Sequence, residues 1–182
     1  MTGDLPYSFT LRDGRIATLR ATTEGDAAEL CVLLPQLHIE SDFLGWMTGE
    51  WNMTVQQERE FIREHLAVPR QALFCVESDG AIVAICGAQQ TKFRRNAHVA
   101  EIGMSVRKAY WGQGIGRTTG EYLKEWGRNV GLRKLTLRVF DDNARAIALY
   151  RSLGFIEEGR LRQDVLRAGG GYSDTLVMGL FL

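Results

Sequence analysis

Residues 106–117 read Val-Arg-Lys-Ala-Tyr-Trp-Gly-Gln-Gly-Ile-Gly-Arg, and they join two different hydrophobic patterns. The stretch that leads into them, residues 99–106, is typical of a strand. Beyond the glycines, side chains of one helical face recur at three- and four-residue spacing. This face consists of Ile115, Thr119, Tyr122, Leu123, Trp126 and Val130. The segment therefore predicts a strand, a tight turn and a helix in direct succession.

The turn in this segment contains glycines at the alternate positions 112, 114 and 116. Glycine lets the backbone turn tightly and approach a ligand closely. The first N–H groups of a helix point together at the positive end of its dipole, so this combination typically binds an anion, most often a phosphate. The competing interpretation is a plain turn whose glycines allow close packing, but three alternate glycines are more than such a turn requires.

The bulk composition argues against several classes of protein. The 182 residues carry 22 basic and 22 acidic side chains, so the formal net charge is zero, whereas nucleic-acid-binding domains usually have a basic excess. No apolar run approaches the roughly 18 residues of a membrane span, and the N-terminus lacks the apolar core of a signal peptide. We expect one cytoplasmic domain over residues 1–182 that binds neither nucleic acid nor a membrane.

The three cysteines, Cys31, Cys75 and Cys86, are widely spaced in apolar stretches. Such thiols are usually reduced and buried. No Cys-x-x-Cys pair occurs and the three histidines are isolated in the sequence. We therefore predict neither a disulfide framework nor a metal site.

Hydrophobic periodicity along the rest of the chain predicts mixed helices and strands. Strands are predicted at residues 16–20, 72–77, 81–88, 98–106, 134–140, 155–166 and 172–181, and helices at residues 24–37, 55–67, 115–130 and 143–152. Thr23 and Thr54 are positioned to cap helices, and Ser78-Asp79-Gly80 is typical of a hairpin turn. Residues 38–52 are predicted to form a loop or short helix rich in large apolar groups.

The predicted helix at residues 143–152 presents Asn143, Ile147 and Tyr150 on one face, at positions i, i+4 and i+7. These positions span roughly 10 Å along a helix. A polar group at the helix start and a phenol two turns later would suit one elongated ligand. An N-terminal turn residue followed by a core tyrosine explains the same pattern, and on the pattern alone it is the preferred interpretation.

Two signatures in this chain resemble those of the GNAT superfamily of N-acetyltransferases. The first is the acetyl-CoA loop, Arg/Gln-x-x-Gly-x-Gly/Ala, which residues 111–116 match except that Trp111 stands where Arg or Gln is usual. The second is Asn-x-x-Ala-x-x-Leu-Tyr-x-x-x-Gly-Phe, which residues 143–155 match in full. The order of predicted elements also fits the family along nearly the whole chain.

The resemblance implies an α+β fold with a mostly antiparallel mixed sheet of about seven strands and about four flanking helices. In this fold the sheet is splayed between the fourth and fifth strands, and acetyl-CoA, the cosubstrate, lies in the gap. The implied reaction is direct attack of a primary amine on acetyl-CoA in a ternary complex. The implied acceptors are small-molecule amines, amino acids and protein N-termini, including those of ribosomal proteins, and family habit suggests a homodimer.

The resemblance also assigns roles to individual residues. Backbone groups of Met104, Ser105 and Val106 would face the pantetheine and the thioester. The pyrophosphate would be held by Gly112, Gln113, Gly114, Ile115, Gly116 and Arg117. Asn143 would bond the pantetheine arm, and Tyr150 would protonate the departing thiolate, since a phenol of pKa ~10 can assist a thiol of pKa ~8.5.

Basic side chains near the predicted loop have two possible roles. They could meet the remaining CoA phosphate, or they could form a solvated basic face of the helix. These residues are Arg107, Lys108, Arg117, Lys124 and Arg128.

The acceptor amine determines how strong a general base the reaction needs. Neutralising an alkyl amine of pKa ~10.4 at pH 7 costs about 4 to 5 kcal/mol, whereas an α-amine of pKa ~7.7 costs only about 1 kcal/mol. Glu101 on the fourth predicted strand is the candidate base, because acids there serve that role in some relatives, and a structural carboxylate is the alternative. A cationic acceptor could be received by Glu40 and Asp42, with walls formed by Phe43, Trp46 and Trp51.

Two other functions compete with acetyl transfer. An oxidoreductase would use Gly114-x-Gly116 as a dinucleotide loop and Asp141 as a ribose ligand, but too little chain follows Asp141 for the rest of a doubly wound domain. A non-catalytic acyl-CoA sensor or regulatory protein would share the coenzyme site. It would have no use for an acid such as Tyr150 near the thiol, so turnover separates the two.

Overall fold

The computed structural model describes residues 5–45, 49–90 and 93–182. The strands in chain order are β1 Tyr7–Thr10, β2 Ile16–Ala21, β3 Ala72–Ser78, β4 Ala81–Gln90, β5 Val99–Val106, β6 Lys134–Phe140, β7 Ile156–Leu166 and β8 Tyr172–Phe181. The helices of this part of the chain are α1 Ala27–Glu40, α2 Val55–Leu66, α3 Ile115–Asn129 and α4 Ala144–Ser152.

All eight strands form one sheet in the order β1-β2-β3-β4-β5-β6-β8-β7. Every neighbouring pair is antiparallel except β5 and β6, which run parallel. The mixed and mostly antiparallel architecture predicted above is therefore confirmed, with one more strand than the seven expected. The additional strand is β1, whose four residues between Pro6 and a turn are too few to give a clear alternating pattern.

The helix starts follow local sequence signals. Thr54 caps α2, because its hydroxyl accepts a hydrogen bond from the N–H of Gln57 while the Gln57 side chain accepts from the N–H of Thr54. Thr23 and Asp26 form a similar capping box, but it caps a short 3-10 turn, so α1 begins at Ala27 rather than at residue 24. At its other end α1 continues through Glu40, which shortens the predicted loop at residues 38–52.

The sheet is covered on both faces, and each face has its own hydrophobic core. On one face, Ile115 and Leu123 of α3 and Ile147 of α4 pack against strand residues such as Leu135. On the opposite face, a second cluster joins α1 and α2 to β3 and β4, and it includes Leu30, Ile62, Leu73, Cys75 and Ile82. We call these the α3–α4 face and the α1–α2 face.

The sheet opens between β5 and β6. Their ladder contains only the pairs Val99–Lys134, Ala100–Leu135 and Glu101–Thr136, although β5 continues to Val106 and β6 to Phe140. β6 turns instead to β8, with which it pairs along its whole length. The splay predicted between the fourth and fifth strands is thus present, between β5 and β6, and it creates a gap that both helical layers border.

Candidate active site

The turn that follows β5 depends on two glycines with left-handed backbone. Gly112 has φ +79° and Gly114, the residue before α3, has φ +98°. Residues with a side chain rarely adopt these values. A Cβ atom added at either position would meet nothing within 4 Å, so the requirement is conformational and the space beside the turn is open.

This turn presents a group of backbone donors to that open space. Within the three described stretches, no acceptor is paired with the N–H groups of Gly112, Gly114, Ile115, Gly116 and Arg117. Five unpaired amides at the positive end of a 15-residue helix form a strong anion-binding arrangement. The side chain of Gln113 is used otherwise, because its Oε1 accepts from the N–H of Asp13 at 3.1 Å in the β1–β2 turn.

The remaining glycines of this region serve helix packing. A Cβ atom on Gly116 would lie 2.8 Å from Cδ2 of Leu149, and one on Gly120 would lie 2.4 Å from Cδ1 of Leu153. Both contacts are closer than real Cβ atoms tolerate, so these glycines let α3 approach α4. The close-packing interpretation therefore explains Gly116 and Gly120, while the tight-turn interpretation explains Gly112 and Gly114.

Trp111, which departs from the family pattern, closes the end of β5. Its indole Nε1 donates to the carbonyl oxygen of Val106 at 2.7 Å. The guanidinium of Arg145, from the first turn of α4, lies 4.6 Å from the indole ring centroid. Arg145 was not among the predicted site residues, because only the fold brings it to Trp111. Its stacking on the indole places a positive charge at the edge of the glycine turn.

The backbone of β5 is directed alternately to its two neighbours. The N–H of Arg107 donates to Val83 on the β4 side, whereas the carbonyl of His98 accepts from Lys134 on the β6 side. Alternate residues of a strand direct their backbone groups to the same side, so Met104 and Val106 face the gap as His98 faces β6. The Val106 carbonyl is already bound there by Trp111. Ser105 directs its own groups to β4, so this orientation does not support the backbone contact predicted for Ser105.

Asn143 is the N-cap of α4, and its Oδ1 accepts from the N–H of Ala146 at 3.1 Å. The turn interpretation is correct for that oxygen, while the amide nitrogen of the same side chain remains available for a ligand. The predicted contact between Asn143 and pantetheine stays a prediction.

Tyr150 lies on the buried face of α4, where its side chain is 7% exposed. Its ring packs edge-on against Phe155, with ring centroids 5.7 Å apart. Burial, with a smaller contribution from the nearby Cys86 thiol, raises the pKa of Tyr150 to about 12. Since Cys86 pairs with Met104 across the β4–β5 ladder, the phenol belongs to the part of the molecule that borders the gap.

Glu101 is the last β5 residue paired with β6, so it sits where the gap begins. It is exposed, and by strand alternation its side chain is on the α1–α2 face, opposite the buried Ala100 and Ile102. Gly103, two residues further along the same face, has open space where a Cβ atom would stand. Glu101 and Tyr150 therefore approach the gap from opposite faces of the sheet.

The basic side chains predicted near the CoA phosphates differ in their partners. Lys124 and Arg128 form ion pairs with Glu121 and Glu125 of their own helix, which favours a solvated helix face. Arg107 pairs with Glu40 at 2.9 Å, and Arg117 donates to Ser152 Oγ of α4 at 3.1 Å. Arg117 is thereby held beside the glycine turn, and its contact with a phosphate stays a prediction.

Glu40 anchors the end of α1 to the start of the β5–α3 connection. Its carboxylate accepts from the backbone N–H of Lys108 at 2.6 Å, from Arg107 Nε and from Gln36 Nε2. Burial alone would raise the pKa of Glu40, but these hydrogen bonds outweigh it and lower the pKa overall. Glu40 is therefore occupied within the protein, which argues against its predicted role in receiving the acceptor.

A cavity of about 210 Å³ lies on the α1–α2 face, next to the end of β6. It is lined by the end of α1 and the segment after it, by Phe140, and by the end of β7 and the β7–β8 connection. The lining residues are His38, Ser41, Asp42, Leu44, Gly45, Glu50, Phe140, Val165, Leu166, Arg167 and Ala168. The cavity thus contains Asp42, whereas Glu40 lies outside it.

Of the aromatic walls predicted for the acceptor, Phe43 packs edge-on against Phe140, with ring centroids 5.8 Å apart. Trp51 packs instead against the core of the α1–α2 face. Trp46 lies outside the described residues. Phe140 itself was not predicted as a wall, because its position at the end of a strand does not reveal which cavity it borders.

Other sequence expectations concern cysteines, metals and membranes. Cys75 and Cys86 are buried and Cys31 is half-buried, all as free thiols. Among residues 5–45, 49–90 and 93–182, no cluster of His, Cys, Asp or Glu is arranged to hold a metal ion. Within the same ranges, every helix is too short or too polar to cross a membrane.

Comparison with known proteins agrees with this geometry. Residues 37–155 match the model of the acetyltransferase (GNAT) family. The N-alpha-acetyltransferase RimI of Mycobacterium tuberculosis is 30% identical over 168 residues, which are 90% of this chain and 93% of that protein. The L-amino acid N-acetyltransferase AaaT of Escherichia coli is 31% identical over 60% of this chain and 66% of its own length.

A GNAT acetyltransferase structure from Streptococcus pneumoniae superimposes with a TM-score of 0.88 and 26% identity, covering 91% of this chain and 99% of that one. The share of the curated relatives that the chain spans varies from 14% to 93% of their length. The family model alone covers more than half of the chain. The chain therefore belongs to the GNAT family and is an acetyl-CoA-dependent N-acetyltransferase.

Proposed function

We propose that the protein binds acetyl-CoA with its pyrophosphate on the turn at residues 112–117 and transfers the acetyl group directly to a primary amine. The observation that carries this proposal is the set of five unpaired backbone amides at the start of α3. They are preorganised donors for a diphosphate, and they stand at the end of β5, where the sheet opens. The pantetheine amides would then pair with the backbone of Met104 and with the N–H of Val106, which face the gap, because the Val106 carbonyl oxygen already accepts from Trp111 Nε1.

In this proposal Tyr150 is the general acid. As the amine attacks the acetyl carbonyl and the tetrahedral intermediate collapses, the C–S bond breaks and the sulfur takes the electron pair. Tyr150 donates its phenolic proton to that thiolate and is restored by the proton that the amine has lost. The pKa of Tyr150, raised to about 12 by burial, is compatible with this role, because the phenol carries its proton throughout the physiological pH range.

Glu101 is the proposed general base. It lies where the gap begins, at the last residue pair of β5 and β6, and it faces the α1–α2 side. The amine would arrive from that side, while the coenzyme would occupy the α3–α4 side. A carboxylate there can take a proton from the acceptor directly or through one water molecule. The open space beside Gly103 leaves room for such a path.

The acceptor is proposed to be a small-molecule amine, an amino acid or a peptide N-terminus. RimI is named for N-terminal acetylation and AaaT for acetylation of L-amino acids, so similarity alone supports both types. We further propose that residues 1–182 form one catalytic domain, that the enzyme acts in the cytoplasm and that it forms a homodimer.

The decisive experiment measures the release of free CoA thiol from acetyl-CoA across amino acids, polyamines, aminoglycosides and N-terminal peptides. Isothermal titration with CoA is run in parallel. Turnover with at least one amine supports the proposal, whereas tight CoA binding without turnover of any acceptor would identify a sensor. Absence of CoA binding by the folded protein would refute the coenzyme site itself.

A further inference from the structure

The cavity on the α1–α2 face contains a fixed cation that the reaction itself does not require. Arg167 extends from the β7–β8 connection, and its guanidinium carbon lies 4.5 Å from the ring centroid of Phe140 and 5.4 Å from that of Phe43. Its Nε donates to Ser173 Oγ at 2.6 Å and its Nη2 to Asp142 Oδ1 at 2.5 Å. Two rings and two hydrogen bonds hold the guanidinium in one orientation.

This arrangement leaves part of the guanidinium available. The side chain of Arg167 is 19% exposed, and no residue in the described part of the chain accepts a hydrogen bond from Nη1. Asp142, which balances the charge, is itself 58% exposed at the surface. An arginine that is preorganised in a cavity and still has N–H groups to donate is well suited to bind a carboxylate.

The cavity also lies at the level where the acetyl group is expected. Glu101 and Thr136 are the last pair of the parallel ladder, and beyond them β5 and β6 border the gap from its two sides. Phe140 is four residues beyond Thr136 and Ser105 is four residues beyond Glu101, so counted from the last pair both stand at the same step along the gap, and Ser105 lies within the β5 segment proposed to border the thioester. A carboxylate on Arg167 would therefore be close to the reacting amine, as it is in a free amino acid.

From these contacts we infer that the preferred acceptor is a free α-amino acid whose carboxylate is bound by Arg167. The inference rests on the proposed acetyl transfer and adds the class of acceptor. The cavity holds both signs of charge, because Asp42 and Glu50 line it together with Arg167, and this matches a zwitterion.

The same features disfavour the other acceptors. A peptide N-terminus has a neutral amide where the amino acid has its carboxylate, so it offers Nη1 of Arg167 no negative charge. A polyamine brings a second positive charge toward the guanidinium. The cavity of about 210 Å³ is smaller than the ~300–1,000 Å³ typical of drug-sized ligands, which suits an acceptor group of amino-acid size.

The test compares kcat/KM for L-amino acids with kcat/KM for their carboxamides, for example L-methionine with L-methioninamide and L-phenylalanine with L-phenylalaninamide. Removal of the carboxylate lowers the pKa of the α-amine, so chemistry alone favours the carboxamide. We expect the wild-type enzyme to prefer the acid by about 10- to 100-fold, the range of a hydrogen bond to a charged group. An equal or better rate with the carboxamide would overturn the inference, as would preferred turnover of an N-terminal peptide or spermidine.

Arg167→Met should remove the preference by raising KM for the acid while leaving that for the carboxamide nearly unchanged. Arg167→Lys should restore part of it. Arg160→Met is the matched control, because Arg160 pairs with Asp141 and Asp174 beside the same hairpin but does not line the cavity. An equal loss of preference in the Arg160 and Arg167 variants would show that Arg167 is only structural.

CoA titration and thermal unfolding report whether each variant is folded. If Arg167→Met fails to fold, the wild-type ratio and the Arg167→Lys variant still decide the question. Thiol release without any preference for the carboxylate refutes this inference alone. No thiol release with any amine refutes the proposed function, and the inference with it.

Discussion

The two candidate sites, on opposite faces of the sheet, differ in the groups that form them. On the α3–α4 face the donors are backbone amides, and one contiguous turn at residues 112–117 supplies all of them. On the α1–α2 face the cavity is formed by side chains from three separate parts of the chain, such as Asp42, Phe140 and Arg167. A shared coenzyme needs only a fixed backbone shape, whereas choice among acceptors needs side chains whose charge and size differ.

This contrast explains why the two sites differ in how easily sequence reveals them. A backbone site requires glycines at fixed positions, and these are visible in a dozen consecutive residues. A side-chain site is assembled by tertiary contacts, such as the packing of Arg167 on two rings that are distant in sequence. Four substitutions test the contrast, from the largest expected effect to the smallest.

Gly114→Trp should be the most damaging change, with a loss of CoA affinity of at least about 100-fold, equivalent to about 2.7 kcal/mol. The side chain would enter the space beside the turn, and φ +98° is unfavourable for any residue with a Cβ atom. Gly80→Trp is the control, because Gly80 also has positive φ and open surroundings but lies in the β3–β4 turn. Normal calorimetric binding by a folded Gly114 variant would contradict the backbone site.

Tyr150→Phe should lower kcat by about 100-fold, in the range of general acid catalysis, with little change in the Kd of CoA. Because the pKa of Tyr150 is about 12, the phenol stays protonated below that value, and the ratio of wild-type to variant rate should be constant from pH 6 to 10. Tyr172→Phe, at an exposed position, should leave kcat unchanged. Full activity in the Tyr150 variant would remove the acid from the mechanism.

Much of the fold was predictable because its helices and inner strands carry clear periodicity and caps. β1 was missed because four residues show too little alternation. On the coenzyme side, the glycine turn, Asn143 and Tyr150 were predicted as candidates, while Arg145 was not, because its stack on Trp111 exists only after α4 docks. On the acceptor side, Glu40 was a candidate to receive a cationic acceptor, yet its carboxylate accepts from the N–H of Lys108 and from Arg107 Nε.

Glu101→Gln should produce a pH-dependent defect on the acceptor side. We expect kcat/KM to fall about 10-fold or more at low pH, where the amine is protonated and needs a base. The defect should shrink as pH rises, because the amine then loses its proton to solvent. Glu64→Gln, at an exposed position of α2, is the control, and a pH profile for Glu101→Gln that parallels the wild type would make Glu101 structural.

Asn143→Asp should have the smallest effect and separate the two functions of that side chain. Aspartate preserves the cap of α4, so the melting temperature should stay near the wild-type value, while Asn143→Ala should cost about 1 kcal/mol of stability. If the amide nitrogen donates to pantetheine, both variants should weaken CoA binding several-fold. Wild-type affinity in the aspartate variant would reduce Asn143 to a cap.

The glycines of this region have two different roles, in the turn and in helix packing, and this difference helps to recognise related chains that have lost activity. Gly116 and Gly120 lie against leucine side chains at the contact between α3 and α4, so a descendant that no longer used a coenzyme would still gain packing from them. Gly112 and Gly114 have open surroundings, so nothing but the shape of the turn keeps them. Substitution of these two glycines alone would therefore indicate a protein that has retained the fold and lost coenzyme binding.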